Sequence, residues 1–296
     1  MTQTTAVLAP APEALPPLGV LAGGGALPRL VVEACLRVRR SVHVIGFAGH
    51  AVAEDYRDCP FTLVRLGAMG RVLRILKRLA IDHIVMAGHV RRPSLLELRP
   101  DTTALAFLME TGARSLGDDG LLATLICWLE SRRGFTVLGV EALLGPMTHP
   151  IGPLGACRPD DAAVRDIEKG RAVLAILGAA DIGQALVVQD GLILGIEAVE
   201  GTDALLRRCA ALRRPGPGGV LVKMRKPGQE RRADLPVIGP ETVRVAASAG
   251  VSGIALDAGG SIVLEQAETV GLADARRLFL YAMPSLSGDA REAMAE

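Results

Sequence analysis

The stretch Leu18-Gly19-Val20-Leu21-Ala22-Gly23-Gly24-Gly25-Ala26-Leu27-Pro28, with Val42-His43-Val44-Ile45-Gly46-Phe47 after it, decides the fold of the first half of the chain. An apolar run ends in glycines, a helix-period pattern covers 27–39, and a second apolar run follows. Strands that are apolar throughout, joined through a helix, belong to a parallel sheet covered on both faces. The theme repeats outward. Residues 61–66 read as a strand, 69–80 as a helix and 83–87 as a strand; helices over 103–113 and 119–132 precede a last strand at 135–140. The expectation is an α/β, Rossmann-like N-terminal domain on a parallel sheet.

A change of composition marks its end. Gly145, Pro146, Pro150, Gly152, Pro153, Gly155 and Pro159 crowd one short segment, which reads as a linker. The division expected is an N-terminal domain over 18–145, a linker over 146–159 and a mixed α/β C-terminal domain over 160–283. Residues 1–17 are Ala/Pro/Thr-rich without the features of a signal peptide and are expected to be disordered, and 284–296 form a polar tail. In the second half, Asp160 is the N-cap of a helix with Val164, Ile167, Leu174 and Leu177 on one face. Two apolar strands meet at Asp190-Gly191 in a tight hairpin. A helix from Thr202, a strand at 220–224, a helix from Pro240 to near Gly250, a second hairpin over 254–264 and a final strand at 278–283 complete the reading.

Bulk properties narrow the partners. Of 296 residues half are hydrophobic but only 3% aromatic, so the cores are aliphatic. Lys and Arg total 33 against 32 acids, a net charge of +1, which gives no basic excess for nucleic acid. A phosphate-bearing ligand must be met by local charge. The cysteines Cys35, Cys59, Cys127, Cys157 and Cys209 form no Cys-x-x-Cys pair and read as small buried thiols in a reducing cytosol. No uncharged apolar run is long enough to span a bilayer, and the location expected is cytoplasmic.

The chemistry concentrates in a few places. Gly23, Gly24 and Gly25 follow a strand and open a helix, where bare backbone can approach a phosphate. The third glycine of a dinucleotide fingerprint is missing, since Pro28 stands there, and no acid ends the second strand. Gly88-His89-Val90-Arg91-Arg92-Pro93 lies at the carboxyl end of a strand, where open parallel sheets bind ligands, and Arg92 is the cation to aim at a phosphate or a base. In Gly117-Asp118-Asp119-Gly120 one aspartate can cap a helix and the other is left for function.

Glu197, Glu200 and Asp203 fall within seven positions after the first hairpin strand. Glu197 sits among apolar residues, where an unpaired carboxylate is expensive. Lys223 interrupts an apolar strand in the same way, Lys226 follows, and an ion pair between the groups is the structural explanation; Thr202 or Asp203 is alternatively a helix cap. Asp234 stands on a stiff loop before Leu235-Pro236 and Gly239-Pro240, placed for a metal ligand or a base. Acids beside bases on strand ends and loops suit a metal-assisted reaction on a phosphate ester, the acids holding a hard cation and the bases neutralising phosphate oxygens.

Taken in order, Ala22 to Pro28, Gly88 to Pro93, Gly117-Asp118-Asp119, Asp181-Ile182-Gly183-Gln184, Glu200-Gly201-Thr202-Asp203, Lys223 to Pro227 with Gln229, and Asp234-Leu235-Pro236 with Ile238-Gly239 resemble the LpxI family. The resemblance covers about 18–282. It implies Mg²⁺-dependent hydrolysis of the diphosphate of UDP-2,3-diacylglucosamine, giving UMP and 2,3-diacylglucosamine 1-phosphate for lipid A biosynthesis. It also implies a Rossmann-like domain joined to a C-terminal domain, with substrate between them, and a homodimer. On this pattern Asp234, Lys223 and Glu200 are catalytic, and Asp234, Glu200 and Asp203 hold the metal. Gly23, Gly24, Gly25, Arg92, Asp118, Asp119, Gln184, Thr202, Lys226 and Gln229 bind the substrate. A diacylated substrate lies in a membrane, so transient contact with the cytoplasmic face of the inner membrane follows, although no amphipathic anchor is evident. A nucleotide-sugar or lipid-binding protein without catalysis is the alternative; it would need the glycine turn but not Asp234. An NAD-dependent oxidoreductase is disfavoured by the missing fingerprint.

Overall fold

The apolar runs of the first half become the strands of one wholly parallel sheet. Its elements are β1 (Leu18–Ala22), α1 (Leu27–Arg37), β2 (Val42–Phe47), β3 (Phe61–Val64), α2 (Met69–Arg78), β4 (His83–Ala87), α3 (Leu95–Leu98), α4 (Thr102–Thr111), α5 (Asp118–Arg133), β5 (Thr136–Leu138) and α6 (Glu141–Leu144). The strands run β3-β2-β1-β4-β5, all parallel. In the computed structural model the residues described are 15–91, 94–112, 117–145, 149–227, 229–233 and 235–285. The expected extension and tail therefore fall almost wholly outside the described residues, as do Arg92, Asp234 and the side chains of Asp118 and Asp119.

The strand order reverses between β1 and β4, which makes the crevice outside their carboxyl ends the switch point of the sheet. Leu18, Val20, Val44 and Val85 face α1, while Leu21, Ile45 and Ile84 face α2, α4 and α5. Each such side chain, fully withdrawn from water, contributes about 1.5–3 kcal/mol before entropy is counted. Helices α1 and α2 end two residues before the patterns predict, because Arg39 (φ 56°) and Ala80 (φ 51°) turn left-handed and cannot continue a helix.

The second half forms a six-stranded mixed sheet. It comprises β6 (Gly152–Pro153), α7 (Asp161–Ala179), β7 (Ala185–Gln189), β8 (Leu192–Ile196), α8 (Thr202–Ala210), β9 (Val220–Lys223), β10 (Val237–Ile238), α9 (Pro240–Ala249), β11 (Gly253–Asp257), β12 (Ile262–Val263), α10 (Gln266–Ala275) and β13 (Phe279–Met283). The order is β6-β13-β11-β9-β7-β8, with β13, β11 and β9 parallel and the other pairs antiparallel. Asp160 caps α7, its carboxylate accepting from Ala163 N at 2.8 Å. The hairpin turns on Asp190 (φ 51°) and Gly191 (φ 73°), the paired positive values of a two-residue turn that matches strand twist. The buried Asp166 carboxylate on α7 accepts from both their amides, at 2.9 and 2.7 Å.

Three expectations are corrected. Residues 254–264 are not a hairpin: β11 pairs in parallel with β9 and β13, and β12 leaves that sheet to pair in parallel with β10. The helix α10 is absent from the sequence reading, because it follows a left-handed Glu265 (φ 45°) and presents no clear apolar stripe. The thiols are not uniformly buried, since Cys127 is exposed and Cys59 and Cys157 are half-buried.

Candidate active site

Lys223 is the last residue of β9, at the carboxyl end of the parallel part of the second sheet, and it is buried. Its Nζ donates to Thr202 Oγ1 at 2.8 Å and to the Val237 carbonyl at 3.0 Å. Thr202 is the first residue of α8; the cap position is Gly201, so the hydroxyl is not spent on capping. It donates instead to Glu197 Oε1 at 2.7 Å. Glu197 lies one residue beyond β8, rather than inside it, and is buried. Its other oxygen accepts from Gln184 N at 3.3 Å. The two charges noted in the apolar strands are thus linked through one hydroxyl, Glu197–Thr202–Lys223, which satisfies the requirement that buried charge be hydrogen-bonded.

A second cation stands beside this chain. Lys226 Nζ lies 2.6 Å from Asp181 Oδ1, with the lysine side chain nearly buried. Gln229 closes the turn that follows β9, its Oε1 accepting from Lys226 N at 2.9 Å, and its Nε2 reaches Gln184 Oε1 at 3.4 Å. Thr202, Gln184, Lys223, Lys226 and Gln229, far apart in sequence, therefore converge on one sheet edge. Asp181 is the partner that sequence reasoning did not assign; Glu197, a carboxylate among apolar residues, was expected to pair with the lysines and reaches Lys223 through Thr202.

Glu200 is differently engaged. Its Oε1 is 2.7 Å from Arg208 and its Oε2 accepts from Ala198 N at 3.0 Å. Its own backbone N–H, followed by Arg208, holds the carboxyl below its ordinary value. Asp203 sits in the first turn of α8, where the helix dipole favours a negative charge. Among the described residues no three His, Cys, Asp or Glu side chains stand together as a metal cage.

The glycine turn is packed rather than open. Gly23 N and Gly24 N donate to the carbonyls of Ala87 and His89 at 2.8 Å each, and His89 N returns to Gly24 O at 3.0 Å. A side chain on Gly23 would meet the His89 carbonyl at 2.5 Å. Glycine is needed here because the loop after β4 crosses the switch point in direct contact with the turn. Gly25 (φ 90°) carries the chain from that contact into α1. Arg91 and His50 are nearby: burial, then His89 and Arg91, lower the tendency of His50 to take a proton. Beyond Ala26 an open cleft of about 330 Å³ separates the turn from Val237, Pro240 and Leu264 of the second half.

A further polar group collects at the carboxyl end of β11. The buried Asp257 accepts from Ser285 Oγ and from Gly259 N, the latter at 3.2 Å. His149 is buried close by, its backbone N–H donating to the Ala258 carbonyl at 2.8 Å, and burial lowers the tendency of its ring to protonate.

Residues 17–146 match the model of the LpxI N-terminal domain and residues 150–281 that of the LpxI C-terminal domain. The chain belongs to the LpxI family. This family member is 38% identical over 271 residues to the UDP-2,3-diacylglucosamine pyrophosphatase LpxI of Caulobacter vibrioides, a match that covers 89% of the chain and 96% of its relative. Among solved structures, the Thermus thermophilus UDP-glucose 4-epimerase complex with NAD aligns over 95% of this LpxI-family chain and 93% of its own at 15% identity and a TM-score of 0.30. The N5-carboxyaminoimidazole synthase of Aspergillus clavatus aligns over 67% and 44% at 16% identity and a TM-score of 0.24.

Proposed function

We propose that this protein hydrolyses the diphosphate of UDP-2,3-diacylglucosamine to UMP and 2,3-diacylglucosamine 1-phosphate, in lipid A biosynthesis. The observation that carries the reading is the buried Glu197–Thr202–Lys223 chain at the carboxyl edge of β9, with Lys226 beside it. Fixed cations in a site shielded from water stabilise charge on phosphoryl oxygens far more than they would in bulk solvent. The printed activity of the Caulobacter relative supports the choice of substrate. In the reaction the oxygen of water bonds to one phosphorus, the bridging P–O bond breaks, and the bridging oxygen leaves with the other phosphate. Lys223 and Lys226 bind the diphosphate and neutralise the charge that moves onto the departing group. Thr202 and Glu197 keep the Lys223 ammonium aimed at that edge. Gln184 and Gln229 orient the substrate, and Asp234 takes the proton of the attacking water.

Mg²⁺ is part of the same proposal. It needs one or two carboxylates and completes its shell with water and substrate phosphate oxygens, so it does not require a three-carboxylate cage. Asp234 and Asp203 would hold it, and Glu200 could join through an oxygen lone pair not taken by Arg208 or Ala198. When bound, it would screen phosphate charge. A diacylated substrate requires contact with a membrane surface, on the cytoplasmic face of the inner membrane. Among the described residues no helix is long and apolar enough to cross it.

The test is UMP release from UDP-2,3-diacylglucosamine with Mg²⁺ and with EDTA, for the native protein, Asp234→Ala and Lys223→Met. Metal-dependent release that falls at least about a hundredfold in both variants is expected. No release by the native protein, or release indifferent to both substitutions, would overturn the reading.

A further inference from the structure

We infer that the outer face of α2 and α4 is a docking surface for an anionic lipid bilayer. Arg71, Arg74, Lys77 and Arg78 are exposed on α2, a ten-residue helix that contains no acid. Its other side, Val72, Leu73, Ile75 and Leu76, is buried against the sheet, so the cations share the outward face. Helix α4 packs beside α2: the α-carbon of Gly70 is so close to Thr103 that a side chain there would meet its Oγ1 at 2.6 Å. Inward, α4 buries Ala104 and Phe107; outward, it exposes Leu105 (46%) and Met109 (86%), one helical turn apart. Cations and large apolar side chains thus lie on one continuous surface.

The helix itself accounts for only part of this charge. Lys77 and Arg78 suit the negative end of the helix dipole, but Arg71, in the first turn, is opposed by it. Among the described residues none of the four lies in an ion pair, unlike Arg29 with Glu33 on α1 and Arg244 with Glu241 on α9. The acids that flank these helices keep their charge but are held by other donors, not by the four cations. Asp101 accepts from Gly70 N and Ala104 N at 2.8 and 2.9 Å, Glu110 from Trp128 at 3.0 Å, and Asp82 from His83 at 2.7 Å. With a net charge of only +1 over the whole chain, this is segregation of charge rather than overall excess.

The combination selects the partner. Anionic headgroups match the cations, and the acyl boundary accepts Leu105 and Met109, whose exposure a polyanion such as nucleic acid would leave unused. Phe107 and Trp128, the aromatic residues beneath this face, are buried and offer no platform for stacking bases. The inference does not depend on the proposed reaction, and its test measures no catalysis. The native chain, the quadruple variant Arg71→Gln/Arg74→Gln/Lys77→Gln/Arg78→Gln and the double variant Leu105→Ser/Met109→Ser would be sedimented with phosphatidylglycerol–phosphatidylcholine vesicles and with pure phosphatidylcholine vesicles. Circular dichroism would establish that each is folded, and Arg71→Gln/Arg74→Gln serves if the quadruple variant is not. Native protein should partition to anionic vesicles in a salt-sensitive way, with partition falling roughly fivefold for each charge removed. The apolar pair should lower it roughly tenfold or more. Equal binding to both vesicle types, unchanged binding by the charge variants, or tighter binding to duplex oligonucleotide than to anionic vesicles would overturn the inference.

Discussion

Glu200 has hydrogen-bond donors on both carboxylate oxygens, Arg208 on one and Ala198 N on the other, and its own amide holds its proton affinity down. The depressed value means that Glu200 stabilises the fold above the ordinary carboxylate range near 4.5 and loses that contribution as pH falls through the lower folded value. Glu200→Gln should therefore unfold at lower temperature than the native protein at neutral pH, and the gap should close below about pH 4.5. Thermal scans of both proteins from neutral into acid solution check this; a gap independent of pH would contradict it. Much of the site is legible at this scale. Glu197 and Lys223 interrupt apolar runs, and a buried charge must have a partner, so both stand out. The link that Thr202 makes between them is not legible, because a hydroxyl next to a helix start reads equally well as a cap. Asp181 and Asp166 give no local signal, since their partners are 45 residues (Lys226) and 24–25 residues (Asp190 and Gly191) away in sequence.

The elements legible to the residue are β1, β2 and β4, each an apolar run bounded by turn residues on a doubly covered sheet. The region 254–264 misleads for a physical reason: an apolar run, a turn and another apolar run leave open whether the second strand pairs back or joins a different sheet. Here the chain moves from β11 to the β10–β12 pair. The glycine turn is recognisable as special, but for ligand approach; in the structure one of its amides goes to Ala87 at the end of β4 and another to His89 in the loop after it. That difference has a measurable form. Gly23→Ala drives a methyl into the His89 backbone carbonyl at 2.5 Å, which can yield only by moving the loop, and a loss of about 1–3 kcal/mol is expected. Gly24→Ala meets the exposed His89 ring at 2.7 Å, which can rotate away, so its loss should be smaller. Denaturant unfolding of the pair decides, and equal losses would refute the packing account.

The two halves of the molecule are stitched by residues 229–233 and 235–237. Arg232 lies 2.7 Å from Glu130 on α5 and 2.9 Å from Glu230, and these carboxylates hold its guanidinium charged even more firmly than usual. Because the group is about one-third exposed, Arg232→Ala should cost only about 1 kcal/mol globally. Its local effect should be larger: faster hydrogen exchange over 226–233, with unchanged exchange in β1 and β4. Uniform change across the chain, or none, would show that the bridge does not hold this segment. The hydrophobic contacts are less dispensable. Leu235 and Ile262 are buried in the same cluster as Val20, Val31 and Val44, with Val237 and Leu264 packed against them. During synthesis at about 5–20 residues per second, Ile262 leaves the ribosome roughly six to twenty-five seconds after Leu138, the end of β5. Throughout that interval the nascent first sheet has all its strand hydrogen bonds within reach but an uncovered apolar face beside α1. A ribosome paused between those positions would hold a domain paired in its backbone and unfinished in its packing, a natural client for a chaperone.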